Sequence, residues 1–281
     1  MNSIPPITRP AADRLPASSP RALPIQGLWI GELKLLERLS IASFLANGHP
    51  YHLYVYEEPA DIPKGVDLHD ANTIIPREHI FTYPYGKAKG GLGGFANLFR
   101  YRLLSEKGGW WCDTDVIALR PFKFSTELVL ASERHWLFPN KICNNVILCP
   151  ANHPLMTASY EAAMTMDPHV LAHAANGAPL LRRHVKRLKL QHFIQPPEVF
   201  NPVNWYQSDS IATSVAQNSI TPSTCAVHCY RDVWRWRLTK NQIAGFRDRV
   251  FTPDSLLGQL QIRYLGDSLS LDQAADSNLK S

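Results

Sequence analysis

Leu23-Pro24-Ile25-Gln26-Gly27-Leu28-Trp29-Ile30 is a short apolar run. Helical spacing follows from Leu33 to Asn47, and then comes His52-Leu53-Tyr54-Val55-Tyr56. The first and third pieces have the length and the aliphatic or aromatic content of strands. Between them Leu35, Leu36, Leu39, Ala42, Ser43 and Ala46 recur at helical intervals, and Gly48 closes the run. Strand, helix and strand in that order make a βαβ unit, which argues for a largely parallel sheet. The stretch therefore predicts an α/β fold, a mostly parallel Rossmann-like sheet flanked by helices.

Further along, Gly90-Gly91-Leu92-Gly93-Gly94 gives way to a predicted helix from Phe95 to Lys107, with Phe95, Leu98, Phe99 and Leu103 on one side. Gly108-Gly109 is expected to stop it, as glycine does at a left-handed cap. The run from Trp110 to Leu119 reads as one strand ended by Pro121. On this basis residues 24–266 are expected to form a single domain. Residues 1–23, rich in Pro, Ser, Ala and Arg, are expected to be a flexible leader, and residues 267–281 a flexible tail.

With 45% apolar and 19% charged residues in 281, the chain can bury a sizeable core, and global disorder is excluded. A formal charge of +5 favours an anionic ligand or surface without requiring either. The main basic cluster runs from Arg182 to Lys189 and reads either as a solvated helix face or as a contact for anionic lipid or an acidic acceptor. Five cysteines leave at least one unpaired, and neither Cys112 nor the Cys225/Cys229 pair has zinc-site spacing. That usage suits a reducing compartment, with a Cys143–Cys149 disulfide left open. There is no signal-like start and no run of about 18 apolar residues, so the expected location is cytoplasmic, with peripheral contact at the inner face of the membrane. No nucleic-acid partner is expected.

Asp113 and Asp115 interrupt an otherwise apolar run. In an extended chain, residues two apart point to one face. Two like charges held so close need a cation between them, and a hard divalent ion with open positions for phosphate oxygens meets that need. Val116, Ile117 and Leu119 behind the pair and Trp110 and Trp111 before it place the acids at a buried strand end, where open α/β sheets bind ligands. Arg100, one helix earlier, is in a position to reach a carboxylate or a sugar hydroxyl.

The segment from Phe95 through Arg100 and Gly108-Gly109-Trp110-Trp111-Cys112 to Asp113-Thr114-Asp115 resembles the DXD glycosyltransferases of the Och1/α-1,4-galactosyltransferase type (glycosyltransferase family 32-like). Related segments occur in the large clostridial glucosylating toxins. Leu28-Trp29-Ile30-Gly31, Asn144-Asn145-Val146-Ile147 with His153-Pro154, Pro197 to Val203, and Ala226-Val227-His228-Cys229-Tyr230 resemble further family segments in the same order, over roughly residues 25–236. The resemblance implies a GT-A fold, a nucleotide-sugar donor of the UDP-linked kind, a glycan acceptor and Mn²⁺ or Mg²⁺ on the diphosphate, in synthesis of surface polysaccharide. It also implies transfer of a hexose or N-acetylhexosamine with retention.

By the same resemblance, Asp113, Asp115 and His228 hold the metal, with Asp115 the stronger ligand and Asp113 near the ribose. Trp29, Asn97, Arg100, Asp113, Asn144 and Asn145 bind the donor, and Asp113, Asp115 and Arg100 serve catalysis. Trp29 either stacks on the nucleobase or packs in the core, and His228 is either a ligand or a hydrogen-bonded core residue. Asn97 stands where many members carry Asp, and Tyr230 replaces the usual Trp, so the donor sugar is left open. Competing readings are a metal-dependent phosphohydrolase or nucleotidyltransferase, which usually needs further acidic ligands, a transferase acting on a protein, and a carbohydrate-binding protein without activity.

Overall fold

A computed structural model of the chain describes residues 23–135, 140–212, 219–237, 251 and 253–266. Apart from residue 23, the leader and tail expected from the sequence lie outside these residues. Strand β1 (Ile25–Trp29), helix α1 (Leu35–Ala46) and strand β2 (Tyr51–Val55) form the βαβ unit, with β1 and β2 paired in parallel from Ile25↔Tyr51 to Trp29↔Val55. Strand β3 (Val66–Asp70) extends the parallel edge beyond β2.

On the other side, β4 (Gly109–Cys112) pairs in parallel with β1. The long strand β7 (Lys141–Cys149) then runs antiparallel to both β4 and β6 (Val129–Glu133). The order is β3-β2-β1-β4-β7-β6, so β7 alone opposes the common direction in this sheet. The fold is α/β with a six-stranded, mostly parallel sheet flanked by helices.

Each face of the sheet has its own core. Ile41 and Phe44 of α1 pack with Tyr51, Leu53, Trp110 and Val146 on one face. Helices α2 (Gly93–Lys107), α3 (Pro154–Met164) and α4 (Ala178–Arg187) cover the other, where Phe95, Phe99, Leu155 and Leu181 meet Tyr54, Trp111 and Ile147. Trp110 and Trp111 therefore serve opposite faces, as the period of two in a strand demands.

Gly108 ends α2 at φ 63°, ψ −163°, a glycine-only conformation and not the left-handed helical cap. A Cβ there would sit 2.4 Å from the Ala151 backbone nitrogen. The chain is thereby turned straight from α2 into β4.

The expected strand from Trp110 to Leu119 breaks in two. The main sheet ends at Cys112, the chain turns through Asp113–Asp115, with the Val116 amide donating to the Asp113 carbonyl at 3.0 Å, and β5 (Val116–Ala118) joins a separate sheet. There it pairs antiparallel with β8 (Ala226–His228). The acids are neighbours across a turn and not along one strand face.

All five cysteines are free. Cys143 and Cys149 lie six residues apart in β7, about 20 Å along an extended chain, beyond the ~7 Å that a disulfide spans between Cα atoms. Among the described residues no helix is long and apolar enough to cross a membrane.

Candidate active site

The turn between β4 and β5 lies at the carboxyl edge of the parallel strands, and the pairing of β5 with β8 brings a third group to it. Val116 is directly opposite His228, and the Cys229 amide donates to the Asp115 carbonyl at 2.9 Å. Ligand atoms of Asp113, Asp115 and His228 all lie within 4.8 Å of one another, and Nε2 of His228 is 3.3 Å from an Asp115 carboxylate oxygen. Their side chains retain 27%, 13% and 12% exposure, enough to meet a ligand from one side only.

Asp113 is held from α2. Arg100 is buried on that helix; its Nη2 donates to Asp113 Oδ1 at 2.6 Å, its Nη1 to Asn97 Oδ1 at 3.0 Å, and its guanidinium lies 4.8 Å from the Trp111 ring centroid. Trp111 Nε1 donates to the same Asp113 oxygen at 2.7 Å, which explains why this core tryptophan is not another aliphatic residue. Asn97 Oδ1 also accepts from Asn144 at 2.8 Å, and Asn97 donates to buried Asn176 at 3.1 Å. Gly177 permits the close approach of Asn97, whose amide nitrogen would be 2.8 Å from a Cβ at that position.

Asp115 is held from the other side. Its Oδ2 accepts from the Arg231 amide at 2.8 Å, at the start of α5 (Arg231–Arg237). The Arg231 side chain reaches back to α1, pairing with buried Glu37 at 2.9 Å and lying 4.8 Å from the Trp29 ring centroid. Glu37 also accepts from the Lys34 amide at 2.9 Å, so one carboxylate caps α1 and anchors the arginine.

Burial raises the Asp113 pKa, with the Asp115 charge adding to it and Arg100 opposing. Burial works the same way on Asp115, but His228 and Arg231 more than offset it and hold that carboxyl below its usual range. For His228, burial favours the neutral ring, yet Asp115 and Asp113 raise its pKa above the ordinary value. The two carboxylates thus mark a place of excess negative potential.

These groups open onto a cavity of about 680 Å³, the size of a small-molecule site. Trp29, Asn97, Arg100, Asp113, Asp115, Asn144 and His228 all line it. Asn145 does not. It is buried, donates to Asn201 at 2.9 Å and accepts from Cys143, and its carbonyl receives the Asp113 amide at 2.8 Å. In β7, next to Asn144, it faces the other way by strand alternation, so it supports the turn from behind. Glu133, Lys141, Trp205 and Arg231 line the cavity as well, and sequence reasoning missed them. Arg231 follows directly on the Ala226–Tyr230 segment, which is the one signal that pointed to it.

No protein-family model matches the chain, and no curated protein does. Solved structures do overlap it. PaToxG glycosyltransferase matches at 14% identity and TM-score 0.39 over 62% of this chain and 74% of its own. The apo form of the glycosyltransferase GlyE from Streptococcus pneumoniae TIGR4 matches at 13% and 0.43, over 79% of this chain and 62% of GlyE. The structure of a transferase mutant matches at 14% identity and TM-score 0.40, over 60% of this chain and 85% of its own. All three TM-scores are below 0.5, and the functional assignment is carried by the site's own geometry.

The donor set of that site is two carboxylates and an imidazole, hard and borderline ligands suited to Mn²⁺ or Mg²⁺. His228 Nδ1 is buried and has no hydrogen-bond partner among the described residues, and Asp113 and Asp115 each have one oxygen engaged by an N–H donor that orients it. The residues present therefore fit a divalent ion. Among the described residues this is the one such cluster of His, Cys, Asp and Glu; Glu133 and Asp232 line the same cavity but are not part of it.

Proposed function

We propose that the chain is a metal-dependent glycosyltransferase with a GT-A fold of the Och1/α-1,4-galactosyltransferase type. It would transfer a hexose or N-acetylhexosamine from a UDP-linked donor to a glycan acceptor with retention. The observation that carries this reading is the convergence of Asp113, Asp115 and His228 in one cavity with Trp29, Arg100 and Asn144. A divalent ion held by Asp113, Asp115 and His228 would neutralise negative charge growing on a departing diphosphate. Arg100 fixes the Asp113 carboxylate, and the Arg231 amide fixes that of Asp115, so neither must reorganise as that charge develops. Trp29, at the end of β1, offers a ring to the nucleobase, with the Arg231 guanidinium over it. Asn97 and Asn144 offer amide groups to sugar hydroxyls.

The acceptor on this reading is lipid-linked and met at the cytoplasmic face of the membrane. Helix α4 begins beside the cavity, which Gly177 and Ala178 line, and it carries the basic cluster outward. The test is a thermal-shift panel of nucleotide sugars with and without Mn²⁺. A UDP-sugar should raise the melting temperature only with metal, because a ligand that binds the folded state stabilises it. Turnover of phosphatase substrates in place of nucleotide sugars would reverse the assignment. Transfer to protein hydroxyls would move it to the protein-modifying transferases.

A further inference from the structure

Across the carboxyl edge of the sheet the strands follow one another as β1, β4, β7 and β6. Trp29 ends β1, Asp113 follows β4, Lys141 and Asn144 stand in the first half of β7, and Glu133 ends β6. At about 4.8 Å per strand, Glu133 and Trp29 are roughly 14 Å apart along the edge, with the paired acids between them. A nucleotide stacked at Trp29 with its phosphates at Asp113 and Asp115 leaves the β7–β6 end of the cavity for something else.

That end has a distinct chemistry. Glu133 and Lys141 are opposite one another in the β6–β7 pairing and form an ion pair at 2.9 Å, with 13% and 32% side-chain exposure. Both line the cavity. Trp205 lines it too and is 39% exposed, unusual for the largest side chain, with Tyr206 edge-on at 5.7 Å. The segment before Trp205 is tied to β6. Asn201 donates to the Ser132 carbonyl at 2.8 Å, and Arg134 donates to the Pro202 carbonyl at 3.0 Å. The Tyr230 hydroxyl, on the cavity wall, is buried and has no partner among the described residues, although burying an unpaired donor is costly.

We infer that Trp205, Glu133 and Lys141 form the acceptor subsite, which binds a hexopyranose unit of a glycan. An exposed indole beside a fixed carboxylate and an ammonium suits a ligand with an apolar ring face and a rim of hydroxyls. Trp205 takes the face, Glu133 accepts from hydroxyls, and Lys141 donates to them while holding Glu133 in place. This assignment rests on the transferase reading for its role in transfer, but not for the carbohydrate contact itself.

Saturation-transfer NMR with the methyl α- and β-glycosides of glucose, galactose and mannose tests it on the full chain, with and without UDP–Mg²⁺. Ring protons of at least one glycoside should receive saturation from the wild type. Trp205→Ala should weaken that glycoside by about tenfold or more, equivalent to ~1.4 kcal/mol. Trp205→Phe should keep most of the binding, and Glu133→Gln should weaken it with the indole intact, so the result does not hang on the folding of one variant. Absence of saturation in the wild type, or equal signals from wild type, Trp205→Ala and Glu133→Gln, overturns the subsite. The thermal shift by UDP–Mg²⁺ on the wild type is read separately. Its absence alongside a Trp205-dependent glycoside signal removes the transferase reading and leaves a carbohydrate-binding site.

Discussion

Asp115 has one oxygen on the Arg231 amide and the other facing His228, and neither contact is available to an uncharged side chain at the same strength. Asp115→Asn should therefore abolish metal-dependent donor turnover in a protein that still folds. Retention of more than about a tenth of the wild-type rate, a loss under ~1.4 kcal/mol, would remove Asp115 from the metal site. Arg100 has a double duty, since its guanidinium holds both Asp113 and Asn97. Arg100→Ala leaves a partly buried carboxylate without its cation, and a cost of about 3 kcal/mol in urea unfolding is expected. Donor turnover should fall at least about tenfold in the folded fraction, while UDP affinity changes little. Equal losses in turnover and affinity would mean that Arg100 only supports the fold.

At the scale of elements, α4 separates its two faces cleanly. Leu180, Leu181, His184 and Val185 are buried against the core, while Arg182, Arg183, Lys186 and Arg187 are exposed. At 100° per residue those four cations fall within an arc of about 140°, so one flat surface can face all four. Each is worth up to ~1 kcal/mol at an anionic membrane. Full-length protein should co-sediment with phosphatidylserine vesicles at low salt and detach at high salt, and Arg183→Ser, Lys186→Ser and Arg187→Ser together should reduce the bound fraction. Binding that survives high salt would point to an apolar anchor, and no binding at low salt to an acceptor free in solution.

For the molecule as a whole, His49 couples the end of α1 to the segment after β5. Its Nε2 accepts from the Phe122 amide at 2.8 Å and the ring packs edge-on against Phe44 and Phe122. Burial lowers its pKa, so the native state holds the ring neutral while the unfolded chain protonates near its ordinary value of 6.5. The unfolded state then binds more protons, and stability must fall as pH drops through and below about 6.5. Urea midpoints measured near about pH 7.5 and about pH 5.5 should show the loss, and His49→Gln, which keeps an acceptor for the amide but no titration, should show less of it. An identical pH dependence in the variant would assign the effect to other groups.

The βαβ opening, the helix that ends at Gly108 and the paired acids just beyond it were legible in the sequence because they are local. Periodicity names the buried face of α1, and only glycine tolerates the backbone of Gly108. Asn144 and Asn145 show where that stops. The same dipeptide puts one amide in the cavity and the other behind the turn, and the choice belongs to the alternation of β7 against β4. An apolar run reads alike whichever neighbour it pairs with and in whichever direction, so the reversal of β7 and the departure of β5 into a second sheet were settled by tertiary pairing alone. That pairing brings His228 to Asp115, Arg231 to Glu37 and Glu133 to Lys141. Charges far apart in the chain interact only once strand partners and core packing have placed them within a few ångströms.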